Sequence, residues 1–163
     1  MLTLPRINER SAQPYVAIRE AVVLPFDDRI PPIMEELFQT LESMGVQPSG
    51  PVFFKHDIVK MPELVIEFGV PVATPIAAQG RLVAGMLPGG RFAETTYFGH
   101  YDNLMDVNAV LIGWARHTGL RWDSTEEPDG EHFAARLEIY HNSPEEEPDP
   151  EKWETTVSIK IAD

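Results

Sequence analysis

The order strand, helix, strand, strand is predicted twice along this chain. The first set contains a strand at 15–23, an amphipathic helix that ends at Gly45, and strands at 50–56 and 64–72. The second set contains a strand at 92–98, a helix that ends at Gly119, and strands at 132–140 and 155–161. Two β-α-β-β units generally cannot bury their apolar faces alone, so they are expected to join along one sheet. The sequence therefore predicts an α+β fold, with one antiparallel sheet and two helices on one face.

The two halves are expected to form one domain. The length of 163 residues is ordinary for a single domain,. We expect this domain to span 1–163, with pseudo-repeats at about 14–75 and 80–163. A groove forms where two such halves meet, and grooves of this kind are common ligand sites. The predicted ligand cleft therefore lies at the pseudo-twofold axis.

The helix ends follow from local signals. The first helix is predicted to begin near Asp28, with Pro31 and Pro32 in its first turn, where a missing N–H group costs little,. Asp102 is a suitable N-cap for the second helix,. Alternation in the strand at 132–140 then assigns its side chains to two faces. The face predicted to lie under the helices carries Phe133, Ala135, Leu137 and Ile139.

Three polar segments are expected to lack regular structure. Residues 1–13 read as a loosely held lead-in, and residues 121–131 read as a solvated loop,. The segment 142–153 is broken by prolines and rich in acidic residues, which repel one another and favour exposure,. We assign no chemistry to these segments.

The charge balance limits the function classes. The chain has 26 acidic and 13 basic side chains and a formal net charge of −13. Binding to nucleic acid normally requires a basic face that neutralises phosphates, and this sequence has no Lys/Arg cluster. We therefore expect no direct nucleic acid binding. An acidic protein also raises the local concentration of cationic molecules around it.

The sequence lacks the signals of a membrane protein or a cofactor enzyme. No apolar run approaches the length of a membrane span, and the N-terminus lacks a signal-peptide pattern. The chain has no cysteine, and its five histidines do not have the helical spacing of a zinc site,. Phosphate-binding glycine loops and the Gly-x-Ser-x-Gly elbow do not occur. We expect a cytoplasmic protein with no membrane association, cofactor or metal.

Glu138 is the first candidate for a functional side chain. It lies in the middle of a strand, between Leu137 and Ile139. Aligning the two halves matches Phe54 with Glu138 and His56 with Tyr140. A face that carries these four side chains is too aromatic for a fully solvated surface. Aromatic rings around a lone carboxylate can hold a flat cationic ligand through stacking, cation–π attraction and charge.

The chain resembles the GyrI-like effector-binding domains over nearly its whole length, from about Tyr15 onward. The resemblance rests on the order and spacing of the segments 61–72, 92–101, 111–115, 137–140 and 153–161. It implies that a glutamate at the position of Glu138 contacts cationic, aromatic ligands in a cleft between the halves. It also implies a cleft lined by other aromatic side chains, with Phe54, Tyr97, Phe98, Trp114 and Tyr140 as the candidates.

The sequence supports some of these candidate side chains more strongly than others. Phe54 and Tyr140 share the predicted face of Glu138, and His56 is a candidate polar contact on that face. Trp114 also fits the apolar stripe of its helix, where core packing is the simpler role. The resemblance includes transcription regulators with a DNA-binding module before this domain. Because only a short leader precedes Tyr15, we expect a stand-alone member.

Three functions are open, and the second and third are implied by the resemblance to the GyrI-like domains. The first is a binding protein that captures hydrophobic, aromatic, cationic compounds. The second is a hydrolase of electrophilic cyclopropane-containing compounds, in which Glu138 would be the catalytic general base. The third is an interaction like that of the DNA gyrase inhibitors, in which the acidic loop 145–151 docks onto a basic protein partner. A homodimer is also compatible with the sequence.

Overall fold

The computed structural model describes all 163 residues. Its two helices are α1 (Ile30–Met44) and α2 (Leu104–His117). Its ten strands are β1 (Arg6–Arg10), β2 (Gln13–Val23), β3 (Phe53–Lys60), β4 (Glu63–Pro71), β5 (Leu82–Leu87), β6 (Gly90–Phe98), β7 (Ser124–Glu127), β8 (Gly130–Phe133), β9 (Arg136–Tyr140) and β10 (Glu154–Lys160). Neither helix has the length and apolar content that a membrane-crossing helix needs.

All strands belong to one antiparallel sheet with a symmetric order. The main path runs β1-β6-β10-β9-β3-β4-β2-β5, and β7 and β8 join it beside β3. The three strands on one side of the centre, β9, β10 and β6, correspond in order to β3, β4 and β2 on the other side. β3 and β9 therefore pair at the centre of the sheet, where the two halves meet. The predicted α+β class and the single antiparallel sheet are confirmed.

A short connection forces the sheet to curl. β5 lies at one end of the main path, and β6 lies next to the other end. Only Pro88 and Gly89 separate these two strands in sequence, so the two ends of the sheet must approach each other. The enclosed face buries an apolar cluster that includes Tyr15, Phe53 and Phe92. The curl thus gives the sheet a buried inner face as well as a helix-covered outer face.

α1 covers the first half of the outer face. Its apolar residues recur at helical spacing, and Ile33, Leu37 and Leu41 are fully buried against β2 and β4,. Two prolines occupy the first turn as predicted, and Gly45 ends the helix in a left-handed conformation with φ of 68°,. These local signals explain why the predicted limits of α1 agree closely with the structure.

α2 covers the second half of the same face. Val107 and Leu111 are buried against β6 and β10, and Leu104 is buried at the groove. Asp102 does not cap this helix, contrary to the sequence prediction. It lies in a 3-10 turn that precedes α2, and its backbone N–H donates to Nδ1 of His100 over 3.1 Å. The extra turn moves the start of the helix past the residue that local propensity favours.

Two segments predicted to be irregular contain strands. The lead-in includes β1, which pairs with β6, and Thr3 ahead of it donates a backbone hydrogen bond to Thr96. The segment 121–131 contains β7 and the start of β8. Both segments are polar because they form edges of the sheet, where side chains reach solvent and only the backbone is satisfied by pairing.

The predicted faces of the run 132–140 are reversed over most of its length. Leu137 and Ile139 point to the curled inner face with Phe53, whereas Glu138 and Tyr140 lie on the helix-covered side. Phe133 alone packs with α2, because the run is broken between β8 and β9. Period-two alternation separates two faces, but it does not say which of them the helices cover.

Candidate ligand-binding groove

A groove of about 1430 Å³ lies on the outer face of the sheet, between the two helices. One wall comes from α1, with Met34 and Phe38, and the other wall comes from α2, with Met105 and Asn108. Met34 and Phe38 belong to the apolar stripe of α1, and Met34 packs against the margin of the core, whereas Phe38 is 43% exposed. The apolar stripe of α1 is therefore wide enough for one edge to pack on the sheet and the other edge to line the groove.

The floor of the groove is the central strand pair. Phe54 of β3 lies directly opposite Glu138 of β9 in the antiparallel register. Successive side chains of a strand alternate between faces, so His56, Arg136 and Tyr140 share the face of this pair. All five side chains line the groove. Each half of the chain thus contributes one strand to the floor.

A continuous series of aromatic contacts extends along the groove. Phe54 lies between Phe68 and Tyr140, and both ring-centre distances are 4.7 Å. Tyr140 makes an edge contact with Tyr101 at 5.5 Å, and Tyr101 stacks on Trp153 at 4.4 Å. Phe68 is fully buried beside Phe54, its partner in the β3–β4 register, and supports the buried end of the series. The exposed rings of this series offer faces for stacking with a flat ligand.

Glu138 is held in place from two sides. The Tyr140 hydroxyl donates to Oε1 over 2.9 Å, and the Asn108 side-chain amide donates to Oε2 over 3.2 Å. Nε2 of His56 lies 3.9 Å from Oε1. The side chain of Glu138 is only 12% exposed. A carboxylate with fixed geometry and little exposure interacts more strongly with a ligand charge than a carboxylate in bulk water.

The neighbours of Glu138 have perturbed proton affinities. Burial, and then the nearby Glu138 carboxylate, raises the pKa of Tyr140 well above its ordinary value, so its hydroxyl stays protonated and donates,. Burial lowers the pKa of His56, although the Glu138 carboxylate opposes this shift,. Burial also lowers the pKa of Arg136. At neutral pH the groove floor therefore combines a neutral imidazole, a neutral phenol and two charged groups.

The depressed pKa of His56 should appear as a pH-dependent stability. The unfolded imidazole has a pKa of about 6.5, above that of the folded state, so the unfolded state takes up the proton first as pH falls,. We expect the stability advantage of the wild type over His56→Gln to shrink as the pH falls below about 6.5. Urea unfolding of both proteins at several pH values measures this difference. A pH-independent difference would show that folding does not penalise the imidazolium.

Negative charge predominates along the groove. The lining carboxylates are Asp27, Glu35, Asp102, Glu138, Glu145 and Glu146. Arg136 is the one lysine or arginine in the lining. The sequence suggested that Glu138 is the lone anionic side chain of the cleft, and this prediction is wrong. Glu138 is the one on the floor, whereas Asp102, Glu145 and Glu146 are exposed at the rim.

The structure brings together four of the seven side chains proposed from the sequence, and they are Phe54, His56, Glu138 and Tyr140. The other three lie outside the groove. Tyr97 accepts a hydrogen bond from the Asn103 amide over 2.8 Å and packs beside the α2 core, as Trp114 does. Phe98 ends β6, and its backbone N–H donates to the carbonyl of Met1.

Sequence reasoning missed several lining residues that carry a recognisable signal. Asn108 occupies a position of the α2 stripe that the spacing of Leu104 and Leu111 would give to an apolar residue,. Arg136 shares the period-two face of Glu138. Tyr101 and Trp153 lie in loops, and no periodic pattern indicates where loop side chains point.

The acidic segment 142–153 is a wall of the groove and not a free loop. The Trp153 indole N–H donates to the carbonyl of Glu147 over 2.8 Å, and the Asn142 amide donates to the carbonyl of Lys152 over 3.0 Å. These bonds fix Trp153 against Tyr101. The segment contains no strand or α-helix, as its prolines predicted, but it does contribute side chains to the groove.

The side chains that lie close enough together to hold a metal ion are on the β7–β8 hairpin, away from the groove. They are Glu127, Asp129 and His132, and none of them is buried. His132 is already hydrogen bonded to Asp129 over 2.6 Å. The groove itself presents rings and isolated charges, an arrangement that suits an organic ligand better than a metal.

Comparisons with known proteins identify solved structures of similar fold. The isolated C-terminal domain of EcmrR has a TM-score of 0.76 and 17% identity, with 98% of this chain and 97% of that chain covered. This chain spans 57% of the longer EcmrR chain in its complex with DNA. SAV2435 bound to tetraphenylphosphonium has a TM-score of 0.62 and 8% identity, with coverages of 98% and 94%. A hydrolase from Listeria innocua has a TM-score of 0.60 and 12% identity, with coverages of 97% and 91%.

These structures are similar in fold, and their identities are too low to show more than that. Among curated proteins, no sequence matches this chain significantly. The profile of the GyrI-like small molecule binding domain matches residues 4–162, which is nearly the whole chain. This match confirms the family that the order and spacing of the sequence segments indicated. The chain belongs to the GyrI-like small-molecule-binding domain family.

Proposed function

We propose that this protein binds hydrophobic, aromatic, cationic small molecules in the groove between α1 and α2. The observation that carries the proposal is the setting of Glu138, a little-exposed carboxylate among aromatic rings on the floor of an acidic groove. Glu138 would pair with the positive charge of the ligand, and the rings of Tyr140, Tyr101 and Trp153 would stack on its flat parts.

The two parts of this interaction have different roles. Removal of apolar ligand surface from water would supply most of the affinity, because Phe38, Met34 and Met105 widen the apolar walls,. The carboxylate would supply selectivity, since a neutral ligand of the same shape would leave its charge unpaired in a little-exposed site. Rim carboxylates would raise the local concentration of cations before they bind.

The hydrogen bonds to Glu138 favour recognition over proton transfer. Tyr140 and Asn108 donate to different carboxylate oxygens, so both oxygens are held as acceptors in fixed positions for a cationic ligand,. Hydrolysis by Glu138 as a general base and docking to a protein partner, the two alternatives raised by the sequence, stay predictions.

Tetraphenylphosphonium is a suitable first probe, because it is the ligand of the similar SAV2435 and combines four rings with one charge. We expect it to bind at least roughly tenfold more tightly than neutral triphenylphosphine oxide. Trp153 lies in the groove, whereas Trp114 and Trp122 lie in the α2 core. Binding should therefore change the tryptophan fluorescence of the wild type.

The variant Trp153→Phe tests whether the fluorescence change comes from Trp153. It should lose most of the fluorescence change while calorimetry still detects binding, because phenylalanine keeps an aromatic face. Equal affinity for the cation and the neutral compound would contradict the proposed selectivity. A fluorescence change that persists in Trp153→Phe would place the ligand elsewhere.

A further inference from the structure

Arg136 is a groove residue whose hydrogen-bonding capacity is largely unused. Its Nε is buried without any partner, and its one side-chain hydrogen bond is a long contact of 3.4 Å from Nη2 to Oδ1 of Asn108. Its guanidinium carbon lies 5.0 Å from the centre of the Phe133 ring. The carboxylate nearest in sequence on the same face, Glu138, accepts hydrogen bonds from Tyr140 and Asn108 and forms no salt bridge with Arg136.

Arg136 is half-buried and forms no salt bridge, which is unusual because charges withdrawn from water are normally paired with an opposite charge,. The guanidinium group has five donors in a rigid plane that matches a carboxylate in two-point geometry. The ring of Phe133 can hold this plane from one side and leave its edge free. The contacts of Arg136 therefore orient the guanidinium group without using most of its donors.

Asn108 keeps the two floor charges separate. Its Oδ1 accepts from Arg136, and its Nδ2 donates to Oε2 of Glu138 over 3.2 Å. One amide thus occupies the space in which the opposite charges could meet directly. Arg136 and Glu138 are two residues apart on one strand, which separates their Cα atoms by about 7 Å. The floor of the groove presents a fixed positive point and a fixed negative point.

We propose that the preferred ligands are amphoteric: aromatic cations that also carry a carboxylate or a similarly strong acceptor group. The cationic part pairs with Glu138, and the acceptor group binds the free donors of Arg136. This inference deepens the proposed function and rests on it, because Glu138 and the aromatic rings still bind the cationic part. A ligand with only positive charge would leave Arg136 unpaired and would be repelled by it.

A pair of dyes tests the inference. One is a rhodamine with a free benzoate carboxylate, and the other is the methyl ester of the same dye. Their ring systems and positive charges are the same, so they differ only in the group meant for Arg136. At physiological salt, we expect the wild type to bind the free acid about tenfold or more tightly than the ester, as measured by fluorescence polarisation.

Variants of the two charged residues separate the two proposals. In Arg136→Gln, the dissociation constant of the ester divided by that of the free acid should fall to about one. Arg136→Lys should give an intermediate ratio, because lysine keeps the charge but lacks the planar guanidinium group. In Glu138→Gln, both dyes should bind more weakly. Circular dichroism of each variant confirms that it is folded before the titration.

The two dyes and the two variants distinguish a failure of the amphoteric preference from a failure of the groove itself. A wild-type ratio near one, or a ratio that Arg136→Gln leaves unchanged, would overturn the amphoteric preference while dye binding itself still supports the groove. Unchanged binding of both dyes by Glu138→Gln would overturn the role of that carboxylate. If neither dye binds the wild type, both proposals are wrong.

Discussion

Replacing Glu138 with glutamine is expected to weaken the binding of tetraphenylphosphonium by roughly tenfold or more. The substitution keeps the shape of the side chain and can keep the hydrogen bond from Tyr140. It removes one negative charge and the carboxylate oxygen that accepts from Asn108. Charge interactions are strong here because the carboxylate is only 12% exposed. Isothermal titration calorimetry of both proteins gives the ratio of the dissociation constants directly.

The matched control is Glu145→Gln, which removes the same charge from the rim. Glu145 is exposed, so solvent and salt screen its interaction with a ligand, and the affinity should change by less than about threefold,. Triphenylphosphine oxide should bind Glu138→Gln no more weakly than it binds the wild type. If Glu138→Gln and Glu145→Gln have equal effects, the floor carboxylate has no special role in recognition.

Replacing Phe68 with alanine is expected to lower the free energy of unfolding by about 3–5 kcal/mol. Phe68 is fully buried in β4, where it supports Phe54 on one side and contacts Phe26 on the other. The substitution removes these contacts and leaves a cavity beside Phe54, in the core under α1. Equilibrium unfolding in urea measures the loss, and weaker binding should accompany it because Phe54 is no longer supported.

The control for this substitution is Phe38→Ala. Phe38 is 43% exposed on α1, so its loss should cost less than about 1 kcal/mol of stability,. Phe38 lines the groove, so binding should weaken in this variant without a large change in stability. A cost below about 1 kcal/mol for Phe68→Ala would show that the floor repacks easily and does not depend on this ring.

Local patterns predicted the helices and the central strands because these elements carry strong signals. The prolines and Gly45 bound α1, and its apolar spacing gives the buried stripe. β1, β5 and β7 were not predicted, and all three are short edge strands that depend on pairing with other segments. β1 has the sequence Arg-Ile-Asn-Glu-Arg, which shows no apolar alternation, and it becomes a strand only because β6 offers an edge.

The site was predicted in part. Glu138 stood out as an acidic residue inside an apolar strand, and the family resemblance gave it a role. Its four neighbours on the floor follow from period-two spacing once β3 and β9 are known to pair. Tyr101, Trp153 and Asn108 reach the groove from loops and a helix. Their convergence depends on tertiary packing, and no short-range pattern contains that information.

The pairing of β3 with β9 also bears on how this site can diversify. Phe54 and His56 come from one strand, whereas Arg136, Glu138 and Tyr140 come from another that is far away in sequence. Mutation can therefore change the charged groups of the groove floor on β9 while Phe54 and His56 on β3 stay unchanged. Single substitutions on one of these strands can therefore change which ligands the fold accepts without changing the fold itself.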